Sequence, residues 1–231
     1  MLAGAGCFSI PFDFPPYRLS GTVYGALLNH RSALAALGPA ANQPPYYAPP
    51  VAPVLYIKPR NTLAPSGSVV RIPVGTPELE VGASLGVVIG RTACRVAESR
   101  ALEYVAGYLI VADVSIAHSN YYRPSIRCNA RDGYCPLGPA VTARAAVANP
   151  DALTIRTYLG DALVQTASTA DLIRSAGRLL ADVTEFMTLA PGDVLALGAA
   201  GPAPRVRSAQ TVTIDIDGLG SLSMAFMDAA A

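Results

Sequence analysis

Short apolar runs separated by turn residues recur along the whole chain, and most are too short to be helices. Thr22–Leu28 (TVYGALL) reads as a first strand, with Val54–Lys58 and Val69–Pro73 as further short strands. Leu85–Gly90 (LGVVIG) is continuously apolar, as a strand buried on both faces should be, and Tyr108–Ser115 is a second such run that carries Asp113 near its end. Arg100–Tyr104 suits a single helical turn. Ser119–Pro150 reads mainly as loop, with one strand at Pro136–Thr142. Thr154–Leu159 and Ala162–Thr166 flank Gly160-Asp161, the signature of a hairpin. In the tail Val212, Ile214 and Ile216 alternate with Thr211, Thr213, Asp215 and Asp217. A turn at Gly218–Gly220 then leads into alternating Leu222, Met224 and Phe226. That pattern predicts a second hairpin with one wet face.

One segment has helical period. Leu172, Ile173, Ala176, Leu179, Leu180, Val183 and Phe186 fall on one face, with Ser168 as the expected N-cap, Asp171 in the first turn and Pro191-Gly192 as the stop. This helix is expected to pack rather than to do chemistry. Asn29–Pro53 holds Pro39, Pro44, Pro45, Pro49, Pro50 and Pro53, with Tyr46 and Tyr47 between them, and is expected to be neither helix nor central strand. A segment of this length suits a binding loop or lid, or else a plain linker. Many short strands with one long helix make a β-rich α+β domain, expected over residues 22–231 behind an extension of residues 1–21.

Composition narrows the function classes. The chain is 52% hydrophobic and only 14% charged, with a formal net charge of +1. So little charge fits a surface partly covered by another subunit, and fits a general alanine bias equally well. No Lys/Arg run is present, so no nucleic-acid or anionic-membrane partner is expected. No apolar run approaches a membrane span, and Met1–Pro16 lacks the pattern of a secretory leader, so it reads as a leader strand or a tail. Cys7, Cys94, Cys128 and Cys135 fit no zinc spacing with only His30 and His118 available, and are expected as reduced thiols of a cytoplasmic protein. Nucleotide-binding glycine motifs, HExxH and GxSxG are absent.

Seven segments in order carry a resemblance: Leu28-Asn29-His30-Arg31, Tyr56-Ile57-Lys58-Pro59, Leu85–Gly90, Ala106-Gly107-Tyr108, Ala112-Asp113-Val114-Ser115, Asp132–Pro139 and Leu189–Asp193. Together they resemble the fumarylacetoacetate hydrolase family, in its isomerase/decarboxylase branch. The resemblance implies a mixed β-roll, usually dimeric, with one packing helix. It also implies a magnesium or manganese ion that chelates an oxo-carboxylate substrate. A divalent cation there stabilises the enolate formed by decarboxylation or double-bond migration.

Carried over residue by residue, the resemblance is incomplete. Gly82 and Ser84 stand where the family has two metal-binding glutamates, and Asp113 matches the third ligand. Glu78 and Glu80 lie upstream, out of strand register. Asn129 takes the place of the family's lysine, Ala33 that of a lid histidine, and Leu197–Ala200 that of a Thr-Gly-Thr-Pro loop. The resemblance gives His30, Arg131 and Asp132 as candidate catalytic residues and Asn29, Arg31, Lys58 and Arg60 as candidate substrate-binding residues. The implied activity is that of an isomerase/decarboxylase subunit acting on unsaturated oxo-carboxylic acids of aromatic catabolism. Alternatives are a catalytically silent partner of a metal-competent homologous chain, or an acylpyruvase-type hydrolase. A homodimer or a hetero-oligomer with a homologous subunit is expected.

Overall fold

A computed structural model describes residues 7–8, 19, 22–44, 46–118 and 125–229. Fourteen strands are assigned among these residues: β1 (Cys7–Phe8), β2 (Val23–Leu27), β3 (Val54–Lys58), β4 (Leu63–Pro65), β5 (Ser68–Ile72), β6 (Leu79–Ile89), β7 (Val105–Ser115), β8 (Cys135–Ala143), β9 (Thr154–Leu159), β10 (Ala162–Ser168), β11 (Val194–Ala196), β12 (Arg205–Val206), β13 (Thr211–Ile216) and β14 (Gly220–Asp228). The helices are α1 (Arg31–Leu37), α2 (Ile126–Asn129) and α3 (Ala176–Phe186).

The strands form two mixed sheets. The larger runs β1-β8-β7-β6-β11-β2-β3, with β12 added to β6 and β4 to β8, and the smaller runs β10-β9-β13-β14-β5. The large sheet curls into a half-barrel. Its centre is the antiparallel pair β6–β7, in register from Glu80↔Ser115 through Gly82↔Asp113 to Val87↔Tyr108. Both strands are apolar on both faces because both faces are covered; Val81 to Ile89 are all buried. The chain leaving β3 at one edge of the curl then pairs, as β4, in parallel with β8 near the other edge. That return brings the ends of β3 and β7 together.

The predicted strands are present, several with longer bounds. β6 begins six residues before the LGVVIG run, so Gly82 and Ser84 lie inside it. Two expectations need correction. Asn29–Pro53 is not free of helix. Its first proline is Pro39, and the preceding residues, rich in Ala and Leu, form α1, whose N-cap His30 accepts from Ser32 N–H through its ring. A 3-10 turn follows at Gly38–Asn42. Pro45 lies outside the described residues. The helix expected from Ser168 starts later: Ser168 caps only the short 3-10 turn Thr169–Asp171, Leu172 is extended (φ −67°, ψ 141°), and Ser175 caps α3. Ile173 and Phe186 are consequently exposed, while Leu179, Leu180 and Val183 are buried.

The residues expected as an N-terminal extension include β1, which pairs with β8 through Cys7↔Thr142 and Phe8↔Val141; the rest of Met1–Pro16 lies outside the described residues. No helix among the described residues is long and apolar enough to cross a membrane.

The corrected helix makes a stability prediction. Leu180→Ala should cost about 2–5 kcal/mol in urea unfolding, as a buried leucine does. Phe186→Ala, at an exposed position, should stay within about 0.5 kcal/mol. Equal losses would restore the longer apolar stripe.

Candidate functional site

The curl of the large sheet leaves a cavity of about 590 Å³ at its mouth. Apolar walls come from β2, α1, β3 and the segment Ala199–Ala203. The polar lining is Tyr56, Glu80, Asp113, Ser115, His118, Ser125 and Asn129. A volume of this size suits a small-molecule ligand.

Its floor is organised by Lys58, whose side chain is fully buried. The ammonium Nζ donates to the carbonyls of Val114 (2.7 Å), Asn129 (2.8 Å) and Tyr134 (3.2 Å). An ammonium has three donors, and all three are spent. Asp113 Oδ1 lies 2.8 Å from Nζ, yet it has no partner with hydrogen-bond geometry; the contact is one of charge. The Tyr56 hydroxyl also hydrogen-bonds Asp113. Burial first, and then the Asp113 charge, push that phenol well above its ordinary value, so it stays protonated as a donor. Behind this group, burial pushes the Cys135 thiol up to about 12, despite the neighbouring Lys58 charge. Cys135 is therefore an inert packing residue.

Asp113 Oδ1 and Asn129 Oδ1 are buried acceptors without a hydrogen-bond donor, and both residues line the cavity. Buried polar atoms are normally satisfied, so a ligand hydroxyl or a water suits them.

The donor set does not fit a magnesium site. A Cβ placed on Gly82 would lie 2.9 Å from Ala199 Cβ and 3.5 Å from Asp113 Cβ. Position 82 therefore adjoins Asp113, but the Ala199 methyl fills the room a larger side chain would need. Ser84 is buried and closed on itself: its Oγ accepts from Gly198 N–H (3.0 Å) and donates to the Leu85 carbonyl (3.2 Å). Asp113 is already neutralised by Lys58. Glu80 reaches the cavity but lies 3.6 Å from Arg205 Nη2. Glu78 accepts from Arg205 Nη1 at 2.7 Å, which holds its carboxyl below the usual range. No group of three His, Cys, Asp or Glu suited to a metal occurs among the described residues. Magnesium needs several oxygen ligands before it sheds water.

The remaining sequence candidates are dispersed. Asn29 is buried as a clamp, donating to the carbonyls of Arg174 and Leu197 and accepting from Arg174 N–H. His30 caps α1 outside the cavity lining, and burial lowers its pKa against the opposing pull of Asp171. Arg31 and Arg60 are exposed and do not line the cavity. Asp132 accepts from Asn61 Nδ2 (2.8 Å), and Arg131 reaches back to the Arg127 carbonyl (3.4 Å); neither lines the cavity. Of the sequence candidates, the structure brings Lys58, Asp113 and Gly82 together. Residues that sequence reasoning missed are Tyr56, His118 and Ser125. Tyr56 stands two residues before Lys58 on the same strand face, which was a usable signal. His118 and Ser125 carried none, since their contact follows no side-chain period.

His118 Nδ1 lies 2.9 Å from the Ile116 carbonyl, and Nε2 lies 2.8 Å from Ser125 Oγ. A carbonyl can only accept, so in the neutral ring Nδ1 carries the proton and Nε2 accepts from the serine hydroxyl.

Comparison with known proteins places this geometry. The fumarylacetoacetate (FAA) hydrolase C-terminal family profile matches residues 22–226. The 4-hydroxyphenylacetate degradation bifunctional isomerase/decarboxylase of Escherichia coli is 39% identical over 210 residues, which is 91% of this chain and 48% of that protein. The chain thus spans about half the length of this relative and of its Salmonella dublin counterpart. Among solved structures, 5-carboxymethyl-2-hydroxymuconate delta-isomerase from Mycobacterium smegmatis superposes with a TM-score of 0.78 at 26% identity, covering 92% of this chain and 81% of that one. Maleylpyruvate hydrolase from Sphingobium sp. SYK-6, in complex with manganese(II) and pyruvate, gives 0.74 at 25% identity, covering 90% and 71%.

The Lys58 arrangement yields a stability test. Lys58→Met should destabilise by about 3–5 kcal/mol, because it leaves the Asp113 charge and three carbonyls without their partner. Adding Asp113→Asn should recover part of that loss in denaturant unfolding. If the single and double variants unfold at the same concentration, the ion pair does not anchor the site.

Proposed function

The chain belongs to the fumarylacetoacetate hydrolase family, and from that membership we propose that it is the non-chelating unit of a two-unit isomerase/decarboxylase that acts on unsaturated oxo-carboxylic acids. One observation carries the reading. Ala199 fills the space beside Gly82, and Lys58 neutralises Asp113, which supports reading the residues that match the family's metal ligands as unable to chelate in this chain. The relatives that it matches at about 40% identity are twice its length and bear both activities in their names. A homologous unit with an intact carboxylate set would supply the divalent ion, which polarises the substrate's oxo group as a Lewis acid. This chain's part is to hold the companion and shape the shared assembly, as a homodimer or, on this reading, a hetero-oligomer. A hydrolytic reading has one observation in its favour, the contact between His118 and Ser125.

Calorimetric titration of the isolated chain with magnesium or manganese should give no saturable heat. Mixing it with a metal-competent homologue should raise that homologue's decarboxylation or isomerisation rate, together with a shift in mass by light scattering. Tight metal binding by this chain alone, or no change in the homologue's mass and rate, would overturn the reading.

A further inference from the structure

Ser125 occupies the N-cap position of α2 but makes no side-chain cap bond. Its hydroxyl is directed instead to His118 Nε2 at 2.8 Å. The imidazole is held in the matching tautomer by the Ile116 carbonyl. Ile116 fixes the pair from both sides, because its own N–H donates to the Cys128 carbonyl (3.1 Å) and so ties α2 to the end of β7. Lys58 adds a second tie through the carbonyl of Asn129, the last residue of α2. Both Ser125 and His118 are partly exposed and both line the cavity. A hydroxyl on a base that is itself oriented by a third group is the arrangement of an activated nucleophile. Nothing in the isomerase/decarboxylase reading uses it.

We propose that Ser125 is a nucleophile activated by His118, and that the cavity transfers the acyl group of a small ester to water. His118 Nε2 takes the Ser125 hydroxyl proton as Oγ bonds to the acyl carbon, and the carbonyl π pair moves onto oxygen. Collapse of that adduct breaks the bond to the leaving alkoxide, which receives the proton from His118. A water molecule then gives a proton to Nε2, attacks the acyl-serine and releases the carboxylic acid with Ser125 restored. The apolar walls from Ala26, Leu27, Leu55 and Ala200 suit a short acyl chain, and the donorless acceptors Asp113 Oδ1 and Asn129 Oδ1 suit the water. No metal enters these steps.

The test uses the full chain with a fluorophosphonate probe and p-nitrophenyl acetate, without added metal or companion, so that its failure is separable from failure of the two-unit reading. Peptide mapping should find one phosphonyl adduct, on Ser125. His118→Asn keeps a donor for the Ile116 carbonyl but removes the base. It should slow both labelling and ester cleavage by about 10²–10⁴-fold, with an unchanged melting temperature. Ser125→Ala should abolish both. A wild-type chain that takes no adduct on Ser125, or a folded His118→Asn chain that labels at the wild-type rate, would overturn the proposal. Because the wild-type labelling decides by itself, a variant that fails to fold does not rescue it.

Discussion

A buried ammonium is among the more expensive groups a protein can hold unless its charge and all its donors are met, and Lys58 is fully buried. Its three carbonyls come from Val114 at the end of β7, Asn129 at the end of α2 and Tyr134 just before β8, while its charge faces Asp113. Lys58 itself is the last residue of β3, and in strand order β3 is separated from β7 by β2, β11 and β6. Only a curled sheet can bring these segments to one nitrogen. A flatter sheet would leave a lysine in the interior with no partners. The curl, the position of α2 and the floor of the cavity are therefore one constraint.

The same constraint decides what the cavity can chelate. A divalent ion beside Asp113 would meet a carboxylate whose charge is already matched, with a fixed ammonium 2.8 Å away. Removing the lysine would not restore a metal site, because Ala199 still stands over Gly82 and Ser84 is still bonded to Gly198. Gly198 has a backbone (φ 116°) that favours glycine, and a Cβ there would come within 3.0 Å of the Ala26 carbonyl. Ser84 thus meets a segment that packs tightly against β2. Several contacts, and not one substitution, hold the slot closed.

Much of this architecture was legible in local pattern. The apolar runs of β6 and β7, the two hairpins and the alternating tail follow from side-chain period alone, and the family resemblance supplied the β-roll. Errors arose where a local rule met a stronger neighbour. The proline count over Asn29–Pro53 hid α1, because the prolines all lie after it. The helical stripe from Leu172 was read too early, because Leu172 and Ile173 are held as extended chain by the bridge of His30 to Leu172 and the bond from Ile173 N–H to the Asn29 carbonyl. Gly82 and Ser84 lie inside β6, ahead of the LGVVIG run, yet Ala199, which stands over Gly82, is 117 residues away and no sequence window joins them. Lys58 stood on a strand with four apolar or aromatic neighbours, where ordinary alternation gives no reason for a buried cation; its partners are all more than 50 residues away.

The link between the floor of the cavity and its His118–Ser125 pair is carried by backbone groups, so it does not depend on which ligand the cavity takes. Val114 accepts from Lys58, and two residues on Ile116 bonds both Cys128 and His118. The short α2 has only one turn of its own hydrogen bonds and could not hold a side chain in place alone. It is fixed at its start by Ser125 to His118, in its middle by Cys128 to Ile116 and at its end by Asn129 to Lys58. Three ties on four or five residues leave the serine hydroxyl little freedom except rotation about its own bond. Preorganisation of that kind is what a positioned nucleophile needs, and the buried lysine supplies one of the three ties.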